Sequence, residues 1–242
     1  MGVIINGFFK MSINTFEVKK FWLQRSKEQL PMDSLSCLEN NPFLVKIKLF
    51  LESQKIRKYI QDLKGIHCLD LGSGTGYWSR VLSQYFQHID SVEYIKNFIN
   101  LSQNEDKKQK INNIKYYNQS VNNFRSVKKY DMIFISGLFI YLTDYQIVNL
   151  FIQIIKYSKK GTYIILRDGT SILPHQYEFN SKYSHLLNSK YSAIYRTRQE
   201  YLHIFEQYGF KLIKDEDMFT NNILLNKFRE KKLRIYLFQR TK

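Results

Sequence analysis

From residue 66 onward, short apolar runs alternate with amphipathic stripes of helical period. The runs 66–71, 88–94, 114–119, 130–136 and 162–168 read as strands. The last of them, TYIILRD, is almost continuously apolar, as a strand buried on both faces should be. The stripes between them predict helices over 76–86 and 96–110. A third helix follows Thr143, which forms a T-x-x-Q capping box with Gln146 ahead of apolar positions 147, 150, 151, 154 and 155. Gly161, after Lys159 and Lys160, is expected to end that helix. Thr197 and Glu200 repeat the capping signal before a stripe of Tyr201, Ile204, Phe205 and Tyr208, with Gly209 as terminator. Two strands, 210–216 and 233–239, close the chain with only a loop between them, which is antiparallel behaviour. Alternating strands and helices imply a parallel sheet covered on both faces. Upstream, 12–64 reads as helical: Asn41 caps, Pro42 takes the first turn, and Leu44, Ile47 and Leu51 form an apolar stripe. Residues 169–195 follow neither period and read as a polar and aromatic insert.

A chain of 242 residues fits one large α/β unit with a substantial core. No repeat and no Pro/Gly/Ser-rich linker divides it. The expected organisation is a helical extension or lid over 1–64, followed by a ligand-binding domain over 65–242. Hydrophobic residues at 44% and aromatics at 16% argue against disorder. No apolar run is long enough to span a bilayer, and MGVIINGFFKM lacks a signal-peptide cleavage site, so a cytoplasmic location is expected, with Met11 as an alternative start. Cys37 and Cys68 are the only cysteines and offer neither a disulfide framework nor metal-ligand spacing; no metal is expected. The net charge of +16 raises the question of nucleic acid. Its lysines are scattered, however, and are enriched jointly with Asn, Ile and Tyr, as A/T-rich coding would produce. RNA is therefore not the expected partner, whereas a small anionic acceptor is favoured.

The chemistry concentrates in HCLDLGSGTGYWS, residues 67–79. An apolar strand runs into Gly72, Gly74 and Gly76 and then into a helix, the nucleotide-binding device of open α/β sheets. A dinucleotide fingerprint would want glycine at position 77, where Tyr77 stands. Asp70, two residues before the first glycine, would repel a pyrophosphate and suits a cationic ligand. Glu93, at the tip of the second strand, is placed to accept ribose hydroxyls. The D-x-G-x-G-x-G order resembles the first motif of class I S-adenosylmethionine-dependent methyltransferases. That resemblance implies a Rossmann-like seven-stranded sheet, mostly parallel, with an antiparallel C-terminal strand, helices on both faces and an N-terminal helical extension. It implies S-adenosyl-L-methionine as cofactor, held by Asp70, Gly72, Ser73, Gly74, Thr75, Gly76, Tyr77, Trp78, Glu93 and Tyr94. It adds Gln119 and Ser120 after the third strand, where the family contacts adenine, and Ser136 after the fourth.

The acceptor should lie beside the carboxyl ends of the fourth and fifth strands. ISGLFIYL (135–142) lacks the Pro-Pro-aromatic motif of base aminomethylases, which points to a small molecule and nominates Tyr141. Arg167 and Asp168 end the fifth strand, and His175 follows as a candidate base beside Asp168. Tyr195, Arg196 and Arg198 precede a helix start that already favours anions, so the two arginines suggest an anion site. The segment at 21–25 (FW…R), together with ISGLFIYL, LRD and YRTR, resembles bacterial methyltransferases of surface-polysaccharide biosynthesis. That implies O-methylation of an anionic or sugar-nucleotide precursor. N-methylation of an amine or protein N-terminus, RNA methylation and a non-catalytic cofactor-binding regulator are the alternatives.

Overall fold

A computed structural model of the chain describes residues 13–63, 65–185, 187–220 and 224–242. Met11 and the residues before it lie outside this set. Five strands run parallel at the centre: β1 (Gly65–Leu71), β2 (Phe86–Glu93), β3 (Ile114–Asn118), β4 (Tyr130–Ser136) and β5 (Ser158–Ser171). A hairpin inserted after β5 comprises β6 (Tyr177–Ser184) and β7 (Ser189–Tyr195) and forms a small sheet of its own. β8 (Phe210–Asp217) and β9 (Lys231–Arg240) complete the main sheet in the order β3-β2-β1-β4-β5-β9-β8, with β9 antiparallel to both neighbours. The strand order reverses between β1 and β4, where this class of sheet places its ligands.

Cys68, Leu69, Asp70 and Leu71 are all buried because helices cover both faces of β1. On one face lie α3 (Pro42–Ile60) and α4 (Tyr77–Leu82), packed through Val45, Leu49, Ile56 and Val81. On the other lie α6 (Asp144–Tyr157) and α7 (Arg198–Gln207), packed through Leu150, Phe151, Ile154, Tyr201 and Phe205. Both capping boxes form as the sequence suggests, at Thr143–Gln146 and Thr197–Glu200. α5 (Lys96–Gln109) flanks β2 and β3.

Three expectations need correction. The buried side of α3 is Val45, Leu49 and Ile56, while Leu51 is 40% exposed. Its rotation is fixed by Glu52, fully buried and ion-paired with Arg167, a constraint that no apolar stripe contains. α6 ends at Ser158, already extended, and β5 begins there, four residues earlier than the apolar run indicated. Finally, the insert is a hairpin. Its Tyr191, Ala193, Ile194 and Tyr195 pack with Val18 and Phe21 of α1 (Thr15–Arg25) and with Ile140 and Tyr141 in a third apolar cluster. Together α1, the short α2 (Met32–Ser36) and the hairpin enclose one end of the sheet.

Candidate active site

The loops after β1, β2, β3, β4 and β5 border a cavity of about 800 Å³, which α1 and the residues around 36–38 also line. Gly72, Gly74 and Gly76 hold φ of 75°, 55° and 71°, a region costly for any residue with a Cβ. At Gly76 a Cβ would also lie 2.8 Å from the hydroxyls of Ser102 and Tyr116. The turn therefore needs glycine both for its backbone angles and for its close packing. Its Gly74 N–H donates to Glu93 Oε2 at 2.9 Å, and Ile95 N–H donates to Oε1 at 2.7 Å. Both carboxylate oxygens are thus oriented by the backbone while Glu93 still borders the cavity. Burial pushes its carboxyl up to about 7, against those N–H bonds, which favour the ionised form.

Gly72, Ser73, Gly74, Tyr77, Trp78, Glu93, Tyr94, Gln119, Ser120 and Ser136 all line this cavity. Ser73 Oγ is buried there with no hydrogen-bond partner among the described residues, which is unusual for a buried polar atom and suits a ligand group. These features fit S-adenosylmethionine: a cradle without side chains, an unsatisfied hydroxyl, and a carboxylate with free lone pairs. Three expected contacts lie behind the wall instead. Asp70 is buried and accepts from Ser79 Oγ at 2.6 Å, so it positions the start of α4. Burial raises its carboxyl to about 7. Thr75 bonds Ser36 through its hydroxyl (2.8 Å), which ties the end of α2 to the glycine turn, and Gly76 packs inward.

Of the residues that the sequence nominated for the acceptor, Tyr141, Arg167, Asp168 and Tyr195 line the same cavity. Asp168 is fully buried. Its Oδ1 accepts from Gly169 N–H at 2.9 Å and its Oδ2 from Ile140 N–H at 3.2 Å, with no ion pair among the described residues. Burial raises its carboxyl to about 7, opposed by those N–H bonds and by the more distant Arg167 and Arg196. The phenols of Tyr141 and Tyr191 bond at 2.9 Å, those of Tyr191 and Tyr195 at 3.4 Å, and burial pushes all three well above their usual range. Arg167 spans the wall, with both Glu52 oxygens at 2.6–2.7 Å and Ser136 Oγ at 3.1 Å.

The remaining nominees do not reach the cavity. His175 is exposed and outside it. Arg196 is buried and its fork is fully used, by Phe139 O, Leu142 O and Asp144, while Arg198 pairs with Asp215. The expected anion site is therefore two structural ion pairs. The acid partners lie 52 and 17 positions away, out of reach of a local reading. Trp22, Asn118, Leu138 and Lys231 also line the cavity. Trp22 and Leu138 lie in the segments 21–25 and 135–142 that the sequence singled out and Asn118 at the end of the third strand, whereas Lys231 carried no signal.

The family profile for AdoMet-dependent proline di-methyltransferases matches residues 22–226. The chain belongs to this family. This methyltransferase is S-adenosylmethionine-dependent. It is 26% identical over 122 residues to phosphoethanolamine N-methyltransferase 3 of Arabidopsis thaliana, a match covering 49% of this chain and 24% of that protein. It is 29% identical over 100 residues to malonyl-[acyl-carrier protein] O-methyltransferase of Bacillus cereus, covering 40% of this chain and 36% of that one. The methyltransferase thus spans only about a quarter and a third of the curated relatives it matches. Haemonchus contortus phosphoethanolamine N-methyltransferase 1, solved with phosphoethanolamine and S-adenosylhomocysteine, superposes with a TM-score of 0.70 at 17% identity, covering 92% of this chain and 48% of that one.

Replacing Glu93 with Gln removes a charge-assisted acceptor and turns an N–H₂ toward backbone N–H donors. Affinity for S-adenosylhomocysteine is expected to fall about tenfold, read by calorimetric titration. Because the carboxylate is the competent form, wild-type affinity should also weaken as pH drops through about 7.

Proposed function

We propose that this enzyme N-methylates a small amine. The observation that carries the proposal is Asp168: a buried carboxylate in the cavity wall, held by two backbone N–H groups, with no cation paired to it among the described residues. Tyr141, Tyr195 and Trp22 line the same cavity. An ammonium group suits such a site, since the carboxylate neutralises it and aromatic faces attract cations. S-adenosylmethionine supplies an electrophilic methyl on a sulfonium. Asp168 orients the amine and takes its proton, a role suited to a carboxyl raised to about 7. The Tyr141–Tyr191–Tyr195 hydroxyl chain fixes the rings that shape the cavity, and the clustering of α1 with the hairpin helps to exclude water.

O-methylation of an anionic or sugar precursor in surface-polysaccharide biosynthesis drew its residue-level support from an arginine anion site and from His175. Both arginines are committed elsewhere and His175 is outside the cavity, so that reading loses its footing. Relatives include both N- and O-methyltransferases, so the acceptor atom has to be tested directly. Labelled methyl transfer to a panel of matched amines and alcohols should label the amines. Transfer confined to hydroxyl or carboxyl acceptors would overturn the assignment.

A further inference from the structure

α3 carries two apolar faces. Val45, Leu49 and Ile56 turn inward, and the opposite side repeats Phe43, Ile47, Phe50 and Leu51 at i, i+4, i+7 and i+8. Phe43 is 69% exposed and Phe50 61%, so two phenylalanine rings stand on the surface along one stripe. Single apolar side chains on a surface are ordinary, whereas a continuous stripe of them marks a contact.

The patch does not end with the helix. Glu39 Oε1 accepts from the N–H of Asn41, the N-cap residue of α3, and Glu39 Oε2 is ion-paired with Lys227. That pair brings the segment 224–228 beside the start of α3, and Leu224 and Phe228 are exposed there as well. Phe228 and Lys48 of α3 also line the cavity, so this surface reaches the cavity rim.

Charge frames the stripe with one sign. Pro42–Ile60 contains five cations, Lys46, Lys48, Lys55, Arg57 and Lys58. Its single acid, Glu52, is buried and bound to Arg167. At about 3.6 residues per turn, Lys46 and Arg57 border the outward stripe on one side and Lys48 and Lys55 on the other. Lys46 and Lys58 are exposed and form no ion pair among the described residues. A second copy of a chain of net charge +16 would set these cations against one another, with no acid on the face to pair with them. An apolar stripe between rows of lysine suits the headgroup boundary of a bilayer, with rings among the acyl chains and ammonium groups on anionic headgroups. No described helix is long and apolar enough to cross a membrane, so the contact is with one surface.

We propose that the outward face of α3, together with Leu224 and Phe228, docks on an anionic lipid surface. This goes beyond the amine reading of Asp168 and does not depend on it.

The test mixes the full chain with phosphatidylcholine vesicles, with and without phosphatidylglycerol, and reads the bound fraction by flotation. Binding is expected with phosphatidylglycerol at physiological salt, and should be several-fold weaker without it and in high salt. Phe43→Ser combined with Phe50→Ser should weaken binding by about tenfold or more. Lys46→Gln combined with Lys58→Gln should weaken it about tenfold. None of these four residues lines the cavity, so Tm and S-adenosylhomocysteine affinity should stay close to wild type. Phe43→Trp with Phe50→Trp should retain binding, since tryptophan also favours the interface. No flotation with anionic vesicles, binding indifferent to phosphatidylglycerol, or binding unchanged in the serine variant would overturn the proposal. So would a dimer, seen by light scattering, that the serine variant abolishes, because the face would then belong to a second copy.

Discussion

Asp168→Asn is expected to lower kcat/KM for amine methylation by two to four orders of magnitude, the usual contribution of a positioned acid–base group. The substitution keeps the size of the side chain but removes both the charge that holds an ammonium and the site that takes its proton. S-adenosylhomocysteine affinity should stay within about threefold, because the cofactor is assigned to the glycine turn and Glu93. The pH profile supplies a second readout. Burial puts the Asp168 carboxyl at about 7, so the competent carboxylate forms as pH rises, and wild-type kcat/KM should climb through that region. At saturating cofactor that limb should be absent from the Asn variant. A variant retaining more than a tenth of the activity with an unchanged profile would remove Asp168 from the chemistry.

Arg196→Gln should destabilise the protein by about 3–5 kcal/mol, the range for breaking a buried ion pair from one side. The guanidinium is buried and donates to Asp144 at 2.6 Å and to the carbonyls of Phe139 and Leu142 at 2.9 Å each. It thereby joins the turn after β4 to the approach to α7. Glutamine cannot reach all three, so a carboxylate and two buried carbonyls lose donors together. Thermal denaturation should show a fall in Tm of roughly 6–20 °C for a chain of this size, with cofactor affinity of the folded enzyme little changed. Arg198→Gln, by contrast, breaks a pair whose arginine is 41% exposed and should cost much less. If Arg196→Gln leaves Tm intact and raises the acceptor KM instead, the arginine belongs to the substrate.

Which parts of this architecture the sequence disclosed follows from where the information sits. β1 to β4 are short, largely apolar runs, β5 has an apolar centre with polar ends, and both capping boxes are contained within four consecutive residues, so local pattern sufficed to find them, though not to place the start of β5. The glycine turn and Glu93 were legible for the same reason: their spacing along the chain is set by one strand–turn–helix–strand passage. The hairpin was not. Its β6 strand, YEFNSKYS, is mostly polar and half exposed, and β7 is buried because α1, far upstream in sequence, packs on it together with Ile140 and Tyr141. Arg196 and Arg198 were misread because charge at a helix start looks alike whether it meets a ligand or a distant aspartate. Lys231 gave no signal, since the first residue of a strand is an ordinary place for lysine and its aromatic partner Tyr195 is brought there only by the fold.

The chain leaves β5 at Ser171 and comes back at Thr197, and these two residues are bridged, with Ser171 N–H also donating to Arg196 O at 2.9 Å. Departure and return are therefore one place on the main sheet, and the hairpin between them hydrogen-bonds as a sheet apart. Its covalent framework is that of a cassette. A graft spliced between 172 and 195 has to satisfy a defined set of neighbours: Gly169, which accepts the ring of residue 195, the Val18 and Phe21 side chains of α1, Ile140 and Tyr141 after β4, and Lys231 at the start of β9. Evolution or a protein engineer can replace the acceptor wall this way without moving a strand of the catalytic scaffold.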